Sequence, residues 1–299
     1  MLNSTKSPGE KRAALRARLS ASEILVLPGA FNPLSAMLIE KKGFEGVYVS
    51  GAMLAADLGL PDVGLTTLGE VASRSQQIAR VTDLPVIVDA DTGFGEPMNV
   101  ARTVQSLEDA GVAGLHVEDQ VNPKRCGHLD GKAVVGLEDA TRRVRAARDA
   151  RRDPNFLIVA RTDARALEGL DATILRARAY VEAGADAIFP EALLSAEEFA
   201  AVRAAIDVPI LANMTEFGKG ESLSVRQLDD LGVDMVIFPV SLLRLTMGAA
   251  SRALDVLTSE GDFGALLDEM QTREDLYELL DYESYAHFDQ SVFDFRLGD

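Results

Sequence analysis

One cysteine, Cys126, occurs in 299 residues, no apolar run approaches the length of a membrane span, and positive charge is scarce. A single cysteine excludes an intramolecular disulfide, which suits a reducing cytosol. The N-terminal Met-Leu-Asn-Ser-Thr-Lys-Ser-Pro has no apolar signal core, so neither export nor membrane insertion is expected. Thirty Lys and Arg against 47 Asp and Glu give a net charge of −17, which argues against nucleic acid or an anionic membrane as partner. Residues 255–299 hold thirteen acidic residues against Arg273 and Arg296, the pattern of a solvated surface. No Pro- or Ser-rich linker interrupts the chain. It reads as one domain over residues 1–299, with helical extensions at 1–22 and 261–299.

Apolar residues make up 47% of the chain, enough for a large core. They cluster in eight short runs: 24–27, 46–49, 85–88, 114–117, 156–160, 187–189, 209–212 and 235–238. Near-continuous runs rich in Val, Ile and Leu fit parallel strands covered on both faces. Helical patterns lie between them, at 98–110, 138–150, 171–183 and 196–205, and several end at a glycine such as Gly184. Eight such units in succession predict a (β/α)8 TIM barrel rather than an open doubly wound sheet. A further helix is expected over residues 8–20, and more after the barrel, over 263–285. The arginine-rich helix 142–152 reads as a solvated face or a subunit contact.

In this fold chemistry collects at the C-terminal ends of the strands. Residues two apart share a face of a strand, so Asp89 pairs with Asp91, Tyr48 with Ser50, and Asn213 with Thr215. The two aspartates, with Glu118 on the neighbouring strand, make a hard oxygen site of the kind Mg2+ accepts. The alternative is that Asp89 and Asp91 cap the next helix or pair with Arg102. Gly93 and Gly95 read as a sharp backbone turn beside the site, and His116 as a core histidine rather than a ligand. The segment from Gln120 to Gly136 is long for a strand-to-helix connection, as binding loops and lids are, and it carries Cys126. Lys124, Arg125 and His128 flank that thiol, and nearby cations favour the thiolate. The alternative for Cys126 is a small buried hydrophobe.

Several motifs together resemble the isocitrate lyase/phosphoenolpyruvate mutase superfamily. Lys124-Arg125-Cys126-Gly127-His128 and Asp89-Ala90-Asp91-Thr92-Gly93-Phe94-Gly95 carry the likeness. Leu58-Gly59-Leu60-Pro61-Asp62, Ala160-Arg161-Thr162-Asp163-Ala164, Phe189-Pro190-Glu191-Ala192 and Met270-Gln271-Thr272-Arg273 are most similar to the branch that cleaves 2-methylisocitrate. The likeness runs from about Leu27 to Tyr285.

The resemblance implies a Mg2+-dependent retro-Claisen cleavage of 2-methylisocitrate to pyruvate and succinate, in propionate breakdown by the methylcitrate cycle. It also implies a homotetramer whose subunits exchange the eighth barrel helix. By position, Ser50, Gly51, Ala52, Cys126, Gly127, His128, Arg161, Glu191, Asn213, Met214, Thr215, Arg244 and Arg273 would contact substrate, and Asp89 and Asp91 would hold Mg2+. Ala52 stands where the pattern often has glycine, and Met214 where it has a branched aliphatic. Cys126 is expected to be the general acid, Arg161 to neutralise the carboxylates where charge builds up, and Tyr48 to be the base, unless it is a packed aromatic with a satisfied hydroxyl. Competing readings are isocitrate lyase, 2,3-dimethylmalate lyase, oxaloacetate decarboxylase or a phosphonomutase, and, in another class, a non-catalytic dicarboxylate-binding barrel.

Overall fold

The computed structural model describes residues 4–127 and 131–296. Its strands are β1 (Leu25–Pro28), β2 (Val47–Val49), β3 (Val86–Asp89), β4 (Gly114–Glu118), β5 (Leu157–Thr162), β6 (Ala187–Pro190), β7 (Leu211–Asn213) and β8 (Met235–Phe238). Strands β2 to β6 form one parallel sheet in sequence order, and β1, β8 and β7 form a second. Parallel bridges from Gly29 to Tyr48 and from Ile188 to Ile210 join the two sheets on both sides. Neighbour order therefore runs round a ring, and the expected barrel is the fold found.

Several strands end a residue or two beyond their apolar runs, because polar residues stay in the ladder. Asp89 pairs with His116, and Glu118 with Arg161. Main-chain register thus sets these charged residues side by side at one rim. Alternation does the rest. Tyr48, Ile87, Val159, Phe189 and Ile237 pack inside the barrel, while Val49, Val88, Leu115 and Ile158 pack against the helices. The helices Pro97–Asp109, Leu137–Ala150, Leu170–Ala183 and Ala196–Ala205 lie within a residue of expectation. Gly184 ends one of them in the left-handed region, at φ 103°.

The helix Pro8–Leu19 closes the opposite end. Ser7 and Glu10 form a capping box at its start, which satisfies two otherwise orphaned amides. Lys11 donates to the carbonyl of Ala79, and Arg12 to those of Val112 and Glu108. Those carbonyls belong to the helix ends and the turn that lead into β3 and β4. Leu15, fully buried, completes the interior cluster from below. Leu15→Ala is expected to cost about 2–5 kcal/mol of unfolding free energy, the range for a leucine cavity. A urea midpoint unchanged from wild type would detach this helix from the core.

After β8 the chain leaves the barrel. The helix Ser241–Glu260 has no buried residue; Leu242 and Leu243 touch the core, while Leu245, Met247 and Leu254 are exposed. A short 3-10 turn, Gly264–Glu269, and the helices Arg273–Leu279 and Tyr282–Asp294 follow. The C-terminal extension is helical as expected and continues past residue 285. It returns to the body at Leu279 and through a Lys41–Glu278 ion pair of 3.0 Å. Among the described residues no helix is long and apolar enough to cross a membrane.

Candidate active site

The C-terminal rim encloses a pocket lined by Tyr48, Ser50, Ala52, Asp89, Cys126, Gly127, Arg161, Glu191, Asn213, Thr215 and Arg244. All eleven were expected from sequence. Asp62, Lys124, Phe189, Ile237, Pro239 and Val240 complete the lining and were not. Its charged side chains are three carboxyls (Asp62, Asp89, Glu191) and three cations (Lys124, Arg161, Arg244). The mouth is therefore not acidic like the chain as a whole, and one divalent cation would make it a trap for anions.

Asp89 and Asp91 converge on Gly51. Gly51 N–H donates to Asp89 Oδ2 at 3.1 Å, and Asp91 N–H to Asp89 Oδ1 at 2.9 Å. A Cβ on Gly51 would stand 2.9 Å from Asp89 Oδ2 and 3.2 Å from Asp91 Oδ1, so only glycine fits between them. Asp91 itself has φ 46°, a left-handed conformation that costs a non-glycine residue energy and is concentrated at functional sites. Neither aspartate caps the next helix, whose N-cap Glu96 has no side-chain bond, and neither pairs with Arg102. Burial and the Asp89 charge raise the Asp91 carboxyl to about 6. Burial also opposes the charge on Asp89, but His116, Lys124 and Arg161 hold it down at about 2. Two carboxylates forced apart in this way gain from a shared dication.

Glu118 turns to Arg161 rather than to that pair. Among the described residues no three His, Cys, Asp or Glu side chains form a group able to hold a metal by themselves. Glu118 Oε2 lies 3.2 Å from Arg161 Nε, and Oε1 is buried without a hydrogen-bond partner. Burial pushes this carboxyl well above its ordinary range, against the pull of the Arg161 guanidinium. Two carboxylates still suit Mg2+, which keeps several waters. Glu118 stands at the rim next to the pair, as the sequence placed it, and is turned to Arg161.

Arg161 is the hub of the rim. Its Nε donates to Asp163 Oδ2 at 2.9 Å and its Nη2 to Asp163 Oδ1 at 3.2 Å. Nη2 also lies 3.4 Å from Glu191 Oε2, and the guanidinium stands 5.1 Å over the Phe189 ring. Glu191 accepts from the amide of Ala192, itself at φ 59°, and from Asn213 Nδ2. The site thus presents a cation fixed in direction by a buried carboxylate.

Cys126 is half-buried, on the pocket wall rather than in the core. Its neighbour Gly127 sits against the hub: a Cβ there would come within 2.6 Å of Glu191 Cγ and 2.7 Å of Arg161 Nη2. Gly127→Ala should therefore lower kcat at least ~10-fold, since about 1 Å of misplacement costs on the order of 10²-fold, while the circular dichroism spectrum stays unchanged. Unimpaired turnover would mean that this contact is not needed. The cationic surround expected for the thiol is not built as foreseen. Lys124 is buried and turned to Asp91, 2.7 Å from Oδ1, and to Asp62. Arg125 donates to the carbonyls of Pro123 and Lys124. Buried carboxylates draw the lysine away, and adjacency in sequence could not reveal that.

Tyr48 is unsuited to the role of base. It is buried, and its hydroxyl lies 2.7 Å from His116 Nε2. Burial and the Asp89 charge hold its proton far above the ordinary phenol range. Burial likewise lowers His116 to about 4, so the imidazole is neutral and belongs to the core, as expected. Of the two readings of Tyr48, the packed aromatic with a satisfied hydroxyl is the one found.

Three further residues fall elsewhere. Met214 points away from Asn213 and Thr215, into the packing around Phe199 and Leu193, because adjacent strand residues face opposite sides. Arg273 is exposed at the start of its helix and does not line the pocket, because the projecting Ser241–Glu260 helix carries the chain away first. His128 lies outside the described residues.

A parallel barrel that gathers its charge at the C-terminal rim is built as a barrel enzyme for a small-molecule substrate. Its family is narrower: residues 15–258 match the phosphoenolpyruvate phosphomutase model, and the chain belongs to that family. A protein of Corynebacterium glutamicum named probable 2-methylisocitrate lyase 2 is 61% identical over 98% of this chain and 95% of its own length. The 2-methylisocitrate lyase of Escherichia coli is 47% identical over 94% of this chain and 95% of its own. Among solved structures, oxaloacetate acetylhydrolase with 3,3-difluorooxalacetate superimposes with a TM-score of 0.91 at 33% identity, covering 98% of this chain and 100% of that one. Phosphonopyruvate hydrolase with oxalate and Mg2+ gives 0.85 at 28% identity, covering 94% and 98%.

Proposed function

We propose that the chain is a Mg2+-dependent carbon–carbon lyase that cleaves 2-methylisocitrate to pyruvate and succinate. The observation that carries this reading is the seating of Gly127 on Arg161 and Glu191, which sets the Cys126 thiol in one pocket with Asp89. The relatives' shared name supports the choice of substrate.

Asp89 and Asp91 would hold Mg2+. Bound there, the ion would draw charge from the substrate's hydroxyl and adjacent carboxylate and so let the hydroxyl proton pass to solvent water. Cleavage of the bond between the hydroxyl-bearing carbon and its carboxylate-bearing neighbour leaves pyruvate on one side and a succinate carbanion on the other. Arg161, with Asn213 and Thr215, pairs with the succinate carboxylates as charge develops. Cys126 then gives its proton to the carbanion as general acid. Tyr48 keeps its proton, its hydroxyl held by His116, and lines the pocket as a packed aromatic. Ile237, Pro239 and Val240 supply the apolar wall of the pocket.

The same reading places the enzyme in cytosolic propionate breakdown by the methylcitrate cycle, as a single barrel domain assembled into a homotetramer. The unburied Ser241–Glu260 helix fits an eighth helix exchanged between subunits, and Arg273 would then act across that interface. The test is pyruvate release from 2-methylisocitrate with Mg2+ present and after exhaustive chelation. Activity that persists in excess chelator counts against the metal. Because Asp91 holds a proton up to about 6, proton and metal compete for it. The thermal shift on adding Mg2+ should be larger near pH 7.5 than near pH 5.5, and equal shifts would remove Asp91 from the site.

A further inference from the structure

We propose that Lys132 is a positioning residue for the thiol: its ammonium ties the Gly127 carbonyl to the Asp163 carboxylate that also aims Arg161. Lys132 Nζ donates to Gly127 O at 2.5 Å and to Asp163 Oδ1 at 2.8 Å. Its side chain is 2% exposed and that of Asp163 is fully buried. Asp163 is fixed in turn from behind. Its amide donates to Asp119 Oδ1 at 2.9 Å, and Asp119 Oδ2 accepts from Thr162 and Tyr180, each at 2.7 Å. One rigid carboxylate therefore sets both the guanidinium and the backbone beside Cys126.

The rest of the segment is anchored independently. Val121 N–H donates to Ala133 O and Val135 N–H to Asp119 O, which makes a short antiparallel stem. Gln120 bonds both the amide and the carbonyl of Arg125. What these contacts leave to Lys132 is the seat of Gly127, where a Cβ's worth of space is already missing. A buried ion pair is weak evidence for stability, since apolar residues of equal volume often do as well. Its position here, between the arginine and the thiol-bearing backbone, points to geometry as its purpose.

The experiment uses the full-length protein and its single thiol. Iodoacetamide alkylation of Cys126 is timed without substrate, and kcat and KM are measured for 2-methylisocitrate, in wild type, Lys132→Met and Lys132→Arg. Lys132→Met should be alkylated at least ~10-fold faster and lose ~10–100-fold in kcat with little change in KM, the cost of misplacing a reacting group. Lys132→Arg, which keeps charge and donors, should recover most of both. Wild-type alkylation and kcat in Lys132→Met would overturn the proposal. So would a kcat loss with unchanged alkylation, because Lys132 would then act only through Asp163 and Arg161. If Lys132→Met does not fold, Lys132→Gln is read in the same way; failure of both to fold makes Lys132 a folding residue and also overturns it. The kinetic readout rests on the lyase reading above, whereas the alkylation readout uses no substrate. A wild-type enzyme that releases no pyruvate therefore defeats that reading separately.

Discussion

Cys126→Ser is expected to reduce turnover by roughly two to four orders of magnitude, the range for losing a general acid, with KM and fold nearly unchanged. Serine keeps the size of the side chain, but its hydroxyl is a far weaker acid than a thiol and cannot deliver a proton at the needed rate. The surrounding backbone does not depend on sulfur, because Gln120 and Lys132 hold it from either side. The loss should therefore fall on kcat. Steady-state kinetics on the purified variant, with circular dichroism as control, is the check. Turnover near that of wild type would take Cys126 out of the proton transfer.

Asp89→Ala should cost turnover to a similar degree and stability besides. It removes one half of the carboxylate pair and leaves the amides of Gly51 and Asp91 without their acceptor. Loss of metal-supplied charge stabilisation is worth several kcal/mol, and about 4 kcal/mol is about three orders of magnitude in rate. Two unsatisfied buried amides cost a further ~1–3 kcal/mol of stability each, so the melting temperature should fall while the fold persists. The thermal shift caused by Mg2+ should vanish. Mg2+-dependent turnover near that of wild type in this variant would mean that the ion is held elsewhere.

The barrel was legible because its signals are local. Eight apolar runs separated by helical periodicity mark each strand, and the closing bridges at Gly29 and Ile188 follow from having eight of them. Much of the rim was legible too, since alternation along a strand puts Asp89 with Asp91, Tyr48 with Ser50, and Asn213 with Thr215 on shared faces. The same rule excludes Met214, which entered only because it stands inside a matching motif.

What stayed hidden depends on partners distant in sequence. Lys124 looked like a neighbour of the thiol, yet its ammonium is taken by Asp62 and Asp91. Lys132 gave no signal, because its meaning comes from Asp163, 31 residues further on. The upward shifts of the Glu118 carboxyl and the Tyr48 phenol come first from burial, and depth in a barrel cannot be read from residue type. Arg273 stands away from its own chain's pocket, because the sequence marks the helix before it but not that helix's direction.

The central claim is that this rim breaks one particular carbon–carbon bond, and a product assay with matched substrates tests it most directly. Purified protein with Mg2+ is incubated separately with 2-methylisocitrate, isocitrate and 2,3-dimethylmalate, and the keto acids released are identified. Pyruvate and succinate in equal amounts from 2-methylisocitrate, well ahead of products from the other two, is the predicted result. Glyoxylate from isocitrate at equal efficiency, or no product from 2-methylisocitrate, would contradict it.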